Sequence, residues 1–451
     1  MQETATRHPP VEAAAGHGKG SGPWLSMPRL WLIVVLGAIG LMALARVPSA
    51  IDLAYHVKVG ELMVAEGALP RTDALAWTTA GRPWLDQNWG AQLVLYGIWR
   101  LGGFPLVVVV NALVAVATWA LVAAACRRRT ANLRLIAGAV LAGYAAAAAT
   151  FSARPQMFSL LLFAVELYLL EVARTRPRAA LAIPLLMPLW ANLHGAFVVG
   201  VGLLAIEVAA AVWRRDRSGA VRYLLVTAAS VAGLLVNPWG VGVLGYAISL
   251  PTNRVVSKLI TEWAPTSIHD LTGILVLGAV VVLVVALVRA PAPHRVPEQL
   301  LRMALLGGLA FWAVRGVAWF GLALPVALCA LARPRPLRPV GEDRGVPAVN
   351  VLVLATLVVG AGGGLAAGQA GPRRLASAAD RRPGGHRRLA GRQPAAGTDV
   401  QLPGVGLLPG VPLRAAGAGG IRLPHRAAAG GPLDPLPGRD RGPLGRRAAA
   451  G

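Results

Sequence analysis

The chain has 451 residues, of which 55% are hydrophobic and 14% charged, and its 44 Lys and Arg against 20 Asp and Glu leave a formal charge of +24. Such a composition leaves too little polar surface to cover a water-soluble fold, so it excludes an ordinary soluble domain and points to a bilayer. The charge does not mark a nucleic-acid binder, because the arginines fall in short clusters between apolar runs, as they do in the cytoplasmic loops of multi-pass membrane proteins.

Residues 1–29 are polar, contain Gly and His, and lack any apolar period, which predicts a disordered cytoplasmic tail. Leu30–Ala45 is the first apolar run. Its Ala43-Leu44-Ala45 has the small-x-small form of a signal-peptide cleavage site, but the length of the preceding tail and the number of later apolar runs favour a membrane span. Next comes a long polar interval, residues 47–103, expected to form a helical outer loop. Within it, Ala50–Gln92 gathers five acids (Asp52, Glu61, Glu66, Asp73 and Asp86) among four Trp or Tyr rings and His56.

Further apolar runs follow at Phe104–Cys126, Leu133–Phe151, Pro155–Ala173, Ala179–Leu193, Ala196–Trp213, Val221–Val236, Leu271–Val288, Leu300–Val314, Gly316–Leu331 and Val346–Ala367. Arginine clusters around Arg127-Arg128-Arg129, Arg174, Arg214, Arg289 and Arg333 follow alternate runs. With the N-terminus in the cytoplasm, every cluster falls inside, and the polytopic all-α domain over residues 30–368 has about eleven spans. Counting the short apolar stretch Trp89–Leu101 as a span would put the triple arginine outside, so it reads as an interfacial or re-entrant helix of the outer loop. Cys126 and Cys329 each lie just ahead of arginines at cytoplasmic helix ends, which argues against a disulfide.

The same parity sends Ser152-Ala153-Arg154-Pro155, Asn192-Leu193-His194-Gly195, Asn237-Pro238-Trp239-Gly240, Arg315-Gly316 and the loop containing Glu262-Trp263 to the outer face. Singly, such residues serve as caps, turns and interfacial anchors. Together they describe a charged cavity at the membrane surface, with loop acids facing Arg154, His194 and Arg315. Asp52 and His56 are spaced i, i+4 and share a face if the segment is helical; Asp52 is then either a functional carboxylate or a helix-start partner for His56. Asp73, after Pro70-Arg71-Thr72, is expected to start a turn, and Asp86 to cap the interfacial helix.

The run Asp52-x-x-x-His56 with Gly60-Glu61, Gly67-x-x-Pro70-x-x-Asp73, Gly81-x-Pro83-Trp84 and Asn88-Trp89 resembles the first outer loop of a bacterial polytopic family grouped with the GT-C-type membrane glycosyltransferases, near family 39. Arg154-Pro155-Gln156, Trp190-Ala191-Asn192-Leu193-His194-Gly195, Asn237-Pro238-Trp239-Gly240, Glu262-Trp263 and Arg315-Gly316 fall where that family has similar motifs, so the likeness spans residues 30–331. It implies a GT-C-like fold and transfer of a sugar from a polyprenyl phosphate to a glycan, lipid or protein acceptor on the outer side. By position, Asp52 would be the catalytic base with His56 beside it, and Asp73, Asp86, Arg154, Gln156, Asn192, His194, Glu262 and Arg315 would line the substrate site. The family has two tryptophans before the histidine, where this chain has Ala54-Tyr55.

These residue types suit the chemistry. A carboxylate that accepts the hydroxyl proton assists attack at an anomeric carbon, and Arg154, His194 or Arg315 could offset the charge of the departing phosphate. No Cys/His cluster or EF-hand spacing appears, so neither a cofactor nor a dedicated metal site is expected, although a divalent ion between Asp52 and a sugar phosphate is compatible with the pattern. Two other classes stay open. Glu166 and Glu207 lie inside apolar runs, where carboxylates mark ion pathways in transporters and flippases, although pairing with nearby arginines would also account for them. A non-catalytic partner in envelope assembly is the third, and only an enzyme would lose transfer on mutation of Asp52.

The tail, residues 369–451, is of another kind. From Gly371 to Gly451 it has 14 Arg and 4 Asp with no Phe, Trp or Tyr, a composition that predicts disorder. On the outer side it also violates the charge rule, and a GC-rich gene read out of frame from near residue 370 would produce such a mixture.

Overall fold

The computed structural model describes residues 27–46, 50–252, 260–294, 296–332 and the short helical pieces 351–353, 355–356 and 359–360. The expectations for residues 1–26 of the N-terminal tail, for the tail over residues 369–451 and for most of the run Val346–Ala367 lie outside the described residues; residues 27–29, expected in the tail, begin the first helix because Met27 and Pro28 open its first turn.

Among the described residues the regular structure is helical, apart from one isolated antiparallel bridge between Thr72 and Pro83. In chain order the helices are α1 (Met27–Ala45), α2 (Ala50–Glu66), α3 (Trp89–Arg127), α4 (Leu133–Ala147), α5 (Gln156–Ala173), α6 (Ile183–Leu193), α7 (Phe197–Trp213), α8 (Arg217–Leu234), α9 (Gly242–Thr252), α10 (Leu271–Arg289), α11 (Pro297–Trp312) and α12 (Val317–Leu331). Among the described residues six segments are long and apolar enough to cross a membrane: α1, α3, α4 with the turn after it, α5, α10, and α12 with the turn before it. At 17 residues α7 is apolar but shorter. The 11 residues of α6 rise only about 16 Å at 1.5 Å each, well short of a hydrocarbon layer about 30 Å thick.

Large apolar side chains stand exposed along α8 and α10, including Val221, Leu224, Leu225, Leu271, Ile274, Val281 and Val288. Water would penalise such a surface, whereas lipid tails would not, and with the long apolar helices it marks a membrane protein. The buried centre is α12, every residue of which is buried. It crosses α4 at a pair of glycines, where a side chain on Gly143 would collide with the Gly321 carbonyl and one on Gly321 with Ala147. Small residues let two backbones approach in this way, so dispersion rather than water exclusion holds the pair.

Two features place the loop. Helix α3 breaks at Gly102 and Gly103, whose φ of +61° at Gly103 suits glycine, and Pro105 begins the second part. The first part, Trp89–Leu101, is thereby distinct from the apolar helix beyond it, matching the division expected from charge parity. Helix α2 lies against that first part. A side chain on Gly60 would collide with the Gln92 carbonyl and the Tyr96 Cβ, so glycine permits this contact.

Candidate active site

The polar residues sort to two ends of the bundle. At one end Arg129, Arg174, Arg214 and Arg302 meet Glu171, Glu207 and Glu298. Arg302 is 1% exposed and holds Glu171 at 3.0 Å while also pairing with Glu207, so two of the acids inside apolar runs are accounted for by pairing. Glu166 differs, being fully buried in α5 with neither carboxylate oxygen bonded to another protein group.

The other end carries the loop and most of the candidate residues. Arg154, just before α5, forms ion pairs with both Asp52 of α2 and Glu262 in the segment before α10. Glu262 also meets Arg315 at 3.3 Å, and the Arg315 guanidinium lies 5.0 Å from the Trp263 ring centre. The charges that parity assigned to one face thus form a continuous row, Asp52, Arg154, Glu262 and Arg315. Beside it is a polar cavity of about 200 Å³ lined in part by Arg46, Thr150, Arg154, Gln156, Glu262 and Arg315. Arg154 Nε is buried without a partner in the protein.

Sequence reasoning missed Arg46. Its Nη1 donates to the Phe151 carbonyl at 2.7 Å and to that of Ala148, which fixes a third guanidinium at the cavity. The available signal was an arginine directly after the first apolar run, which with a cytoplasmic N-terminus would stand on the side where the charge rule disfavours it.

Behind the cavity lie the histidines. Burial pulls the His56 imidazole down to about 4, with Asp52 opposing and Arg154 reinforcing the shift. Its Nδ1 is 3.4 Å from Gln92 Nε2, and the ring meets Tyr55 edge-on. His194, the residue after α6, is held down to about 3 by burial and by Arg315 and His56. Ser159 Oγ, which accepts from Trp190 Nε1 at 2.7 Å, lies 2.8 Å from His194 Nδ1, and the Ala196 N–H approaches the same nitrogen at 3.3 Å. With donors converging on Nδ1, the ring proton belongs on Nε2. A neutral His194 can donate a hydrogen bond but brings no positive charge to a phosphate, in contrast to the sequence expectation.

The remaining candidates have visible local tasks. Asn192 accepts from Trp89 Nε1 at 2.9 Å and donates to the Pro188 and Val236 carbonyls at 2.7 Å each, joining α6 to the first part of α3 and the end of α8. Asp73 forms the expected turn. Burial is the largest single influence there and opposes ionisation, but donors from Ala76, Thr79 and Leu75 together outweigh it and hold the carboxyl below its usual range. Asp86 departs from its expected cap. The residue before α3 is Asn88, and Asp86 Oδ1 accepts from the Asn88 N–H at 3.3 Å and from Gln92 Nε2 at 3.1 Å. Burial pushes its carboxyl up to about 7, partly offset by those two bonds.

Among the described residues no group of three or more His, Cys, Asp or Glu is arranged to hold a metal ion. No family model matches this chain, and no curated protein matches it.

Proposed function

We propose that this chain is a GT-C-like membrane glycosyltransferase with about eleven spans and a cytoplasmic N-terminus, moving a sugar from a polyprenyl phosphate to an acceptor at the outer face. The observation that carries this reading is the polar cavity where Arg46, Arg154 and Arg315 converge beside a loop rich in carboxylates. Guanidinium groups match phosphate oxygens, and three of them at one site favour the charge that builds on a departing polyprenyl phosphate. Asp52 and Glu262 hold Arg154 from two sides, so its position is set before substrate arrives. Gln156 lines the cavity as a neutral hydrogen-bonding group. The hydroxyl proton passes to a loop carboxylate, and this chemistry needs no cofactor.

The test is sugar transfer in membranes containing a radiolabelled pool of polyprenyl-phosphate hexoses and pentoses, with expression matched by immunoblot. Arg154→Gln should insert normally and lower transfer by about 10²-fold, the scale of losing one strong donor to developing charge. Transfer by Arg154→Gln equal to that of wild type would overturn the phosphate assignment.

One observation favours a second reading. A carboxylate buried in a span without a partner, as at Glu166, is a feature of ion-coupled transporters. Under that reading Glu166→Gln would abolish proton-driven uptake of a polyprenyl-phosphate sugar into vesicles and leave sugar transfer absent in wild type as well.

A further inference from the structure

Three neighbouring side chains before and within the first turns of α3 present unmatched polar atoms. Asp86 is 2% exposed, Gln87 4% and Gln92 1%, yet Asp86 Oδ2, Gln87 Nε2 and Gln92 Oε1 have no hydrogen-bond partner in the protein. Buried polar groups are ordinarily paired, so three together call for partners that the protein does not supply. Gln87 is confined as well, because the Gly195 backbone lies so close that a side chain there would collide with Gln87 Oε1.

The inventory specifies the ligand. Two acceptors and one donor are offered, and adjacent sugar hydroxyls can donate to Asp86 Oδ2 and Gln92 Oε1 while accepting from Gln87 Nε2. A phosphate would bring its charge against Asp86 and has no proton for Oδ2 when fully ionised. The cluster is also tied to the arginine cavity, because Gln92 Nε2 reaches both Asp86 and His56, and His56 lies within electrostatic range of Asp52 and Arg154.

We propose that Asp86, Gln87 and Gln92 form the subsite for a hydroxyl-bearing acceptor, and that Asp86 rather than Asp52 takes the proton from the attacking hydroxyl. The proposal rests on the transferase reading and names its acceptor side. Arg154 pairs with Asp52 through Oδ2 and opposes proton uptake there by its charge, whereas no protein group meets Asp86 Oδ2. In the step, the hydroxyl oxygen bonds to the anomeric carbon as the bond from that carbon to the phosphate oxygen breaks. The bonding pair leaves with the polyprenyl phosphate, and the hydroxyl proton ends on Asp86 Oδ2.

The titratable groups around Asp86 keep its pH signature separate. Tyr55 and His56 come from α2, Tyr246 from α9 and Asp73 from the loop; both tyrosines are raised by burial and by Asp86, and Tyr55 by Asp73 as well. His56 at about 4 and His194 at about 3 titrate well below Asp86 at about 7. A base is active when ionised, so turnover should rise with pH to a plateau above about 7.

The experiment measures kcat/KM against pH for the full chain in membranes, with radiolabelled polyprenyl-phosphate hexoses and pentoses as donors and methyl glycosides as acceptor probes. In wild type and in Asp52→Asn, kcat/KM should rise through pH 7. Asp86→Asn keeps an oxygen for Asn88 and Gln92, should fold, and should lose about 10²-fold or more in rate together with the rise. Asp86→Glu should recover part of both. A rise that persists in Asp86→Asn, or disappears in Asp52→Asn, overturns the assignment while measurable transfer keeps the transferase reading standing. If Asp86→Asn fails to accumulate, the Asp52→Asn profile still decides. No transfer by wild type to any probe overturns both.

Discussion

Gln92 holds an acid and a base at once, Asp86 on one side and His56 on the other, and burial drives both toward their neutral forms. The consequences for stability have opposite signs. The folded Asp86 carboxyl, at about 7 against about 3.9 in an unfolded chain, retains its proton over that interval, so its contribution falls as pH rises from about 4 to 7. Asp86→Asn removes that penalty and should raise the Tm of the detergent-solubilised protein at pH 8, by on the order of 4 kcal/mol at most in stability, while changing little at pH 4. A lower Tm for the variant at pH 8 would contradict this. His56 and His194 behave in the reverse sense. Their folded values near 4 and 3 lie below about 6.5, so stability present above pH 6.5 is lost as pH falls through the folded values. His194→Gln should therefore lose less Tm than wild type between pH 6.5 and 4 in the same thermal melts. At this scale the sequence was legible where charge parity spoke: Asp52, Arg154, Glu262 and Arg315 do meet. It misread Asp86 as the helix cap, because an acid two residues before a helix has the same pattern whether it caps the helix or is buried beside Gln92. Arg46 was passed over because a single arginine after a span ordinarily serves as an anchor.

Between elements, glycines mark where backbones come closest. The α4–α12 crossing has Gly143 on the Gly321 carbonyl, and α12 is wholly buried, so nothing can yield around an added side chain. Gly143→Val should cost about 1–3 kcal/mol through overpacking and lower the Tm of the solubilised protein. Gly138, on the same helix with open space around it, should tolerate Ala with little change, and equal losses at the two positions would refute the crossing as drawn. The break in α3 was legible because counting Trp89–Leu101 as a span would have reversed every later arginine cluster, and the Gly102-Gly103 pair supplies its mechanism. Helix lengths were less legible. Apolar runs such as Ala179–Leu193 are continuous in sequence, but Pro177 and Pro184 place a 3₁₀ turn ahead of α6 and leave only 11 residues in the α-helix.

Across the whole molecule, the two polar ends divide the labour. One end is a lattice of ion pairs around Glu171 and Glu298, and Arg302→Met would strand the buried Glu207, leave Glu171 to Arg129 alone among the arginines, and destabilise the bundle. The other end holds a polar cavity, and under the proposed topology it faces outward. Single-cysteine labelling in a background lacking Cys126 and Cys329 checks this: positions 65 and 80 should react from outside and positions 128 and 215 only from inside, and outside labelling at 128 would break the eleven-span arrangement. The central claim is sugar transfer, and its most direct test uses purified protein reconstituted into liposomes with radiolabelled polyprenyl-phosphate sugars and methyl glycosides. The account predicts that label moves from the lipid to the glycoside and that transfer falls about 10²-fold in Arg154→Gln. Label that stays on the carrier with every sugar tested, in liposomes where the protein is folded and correctly oriented, would contradict it.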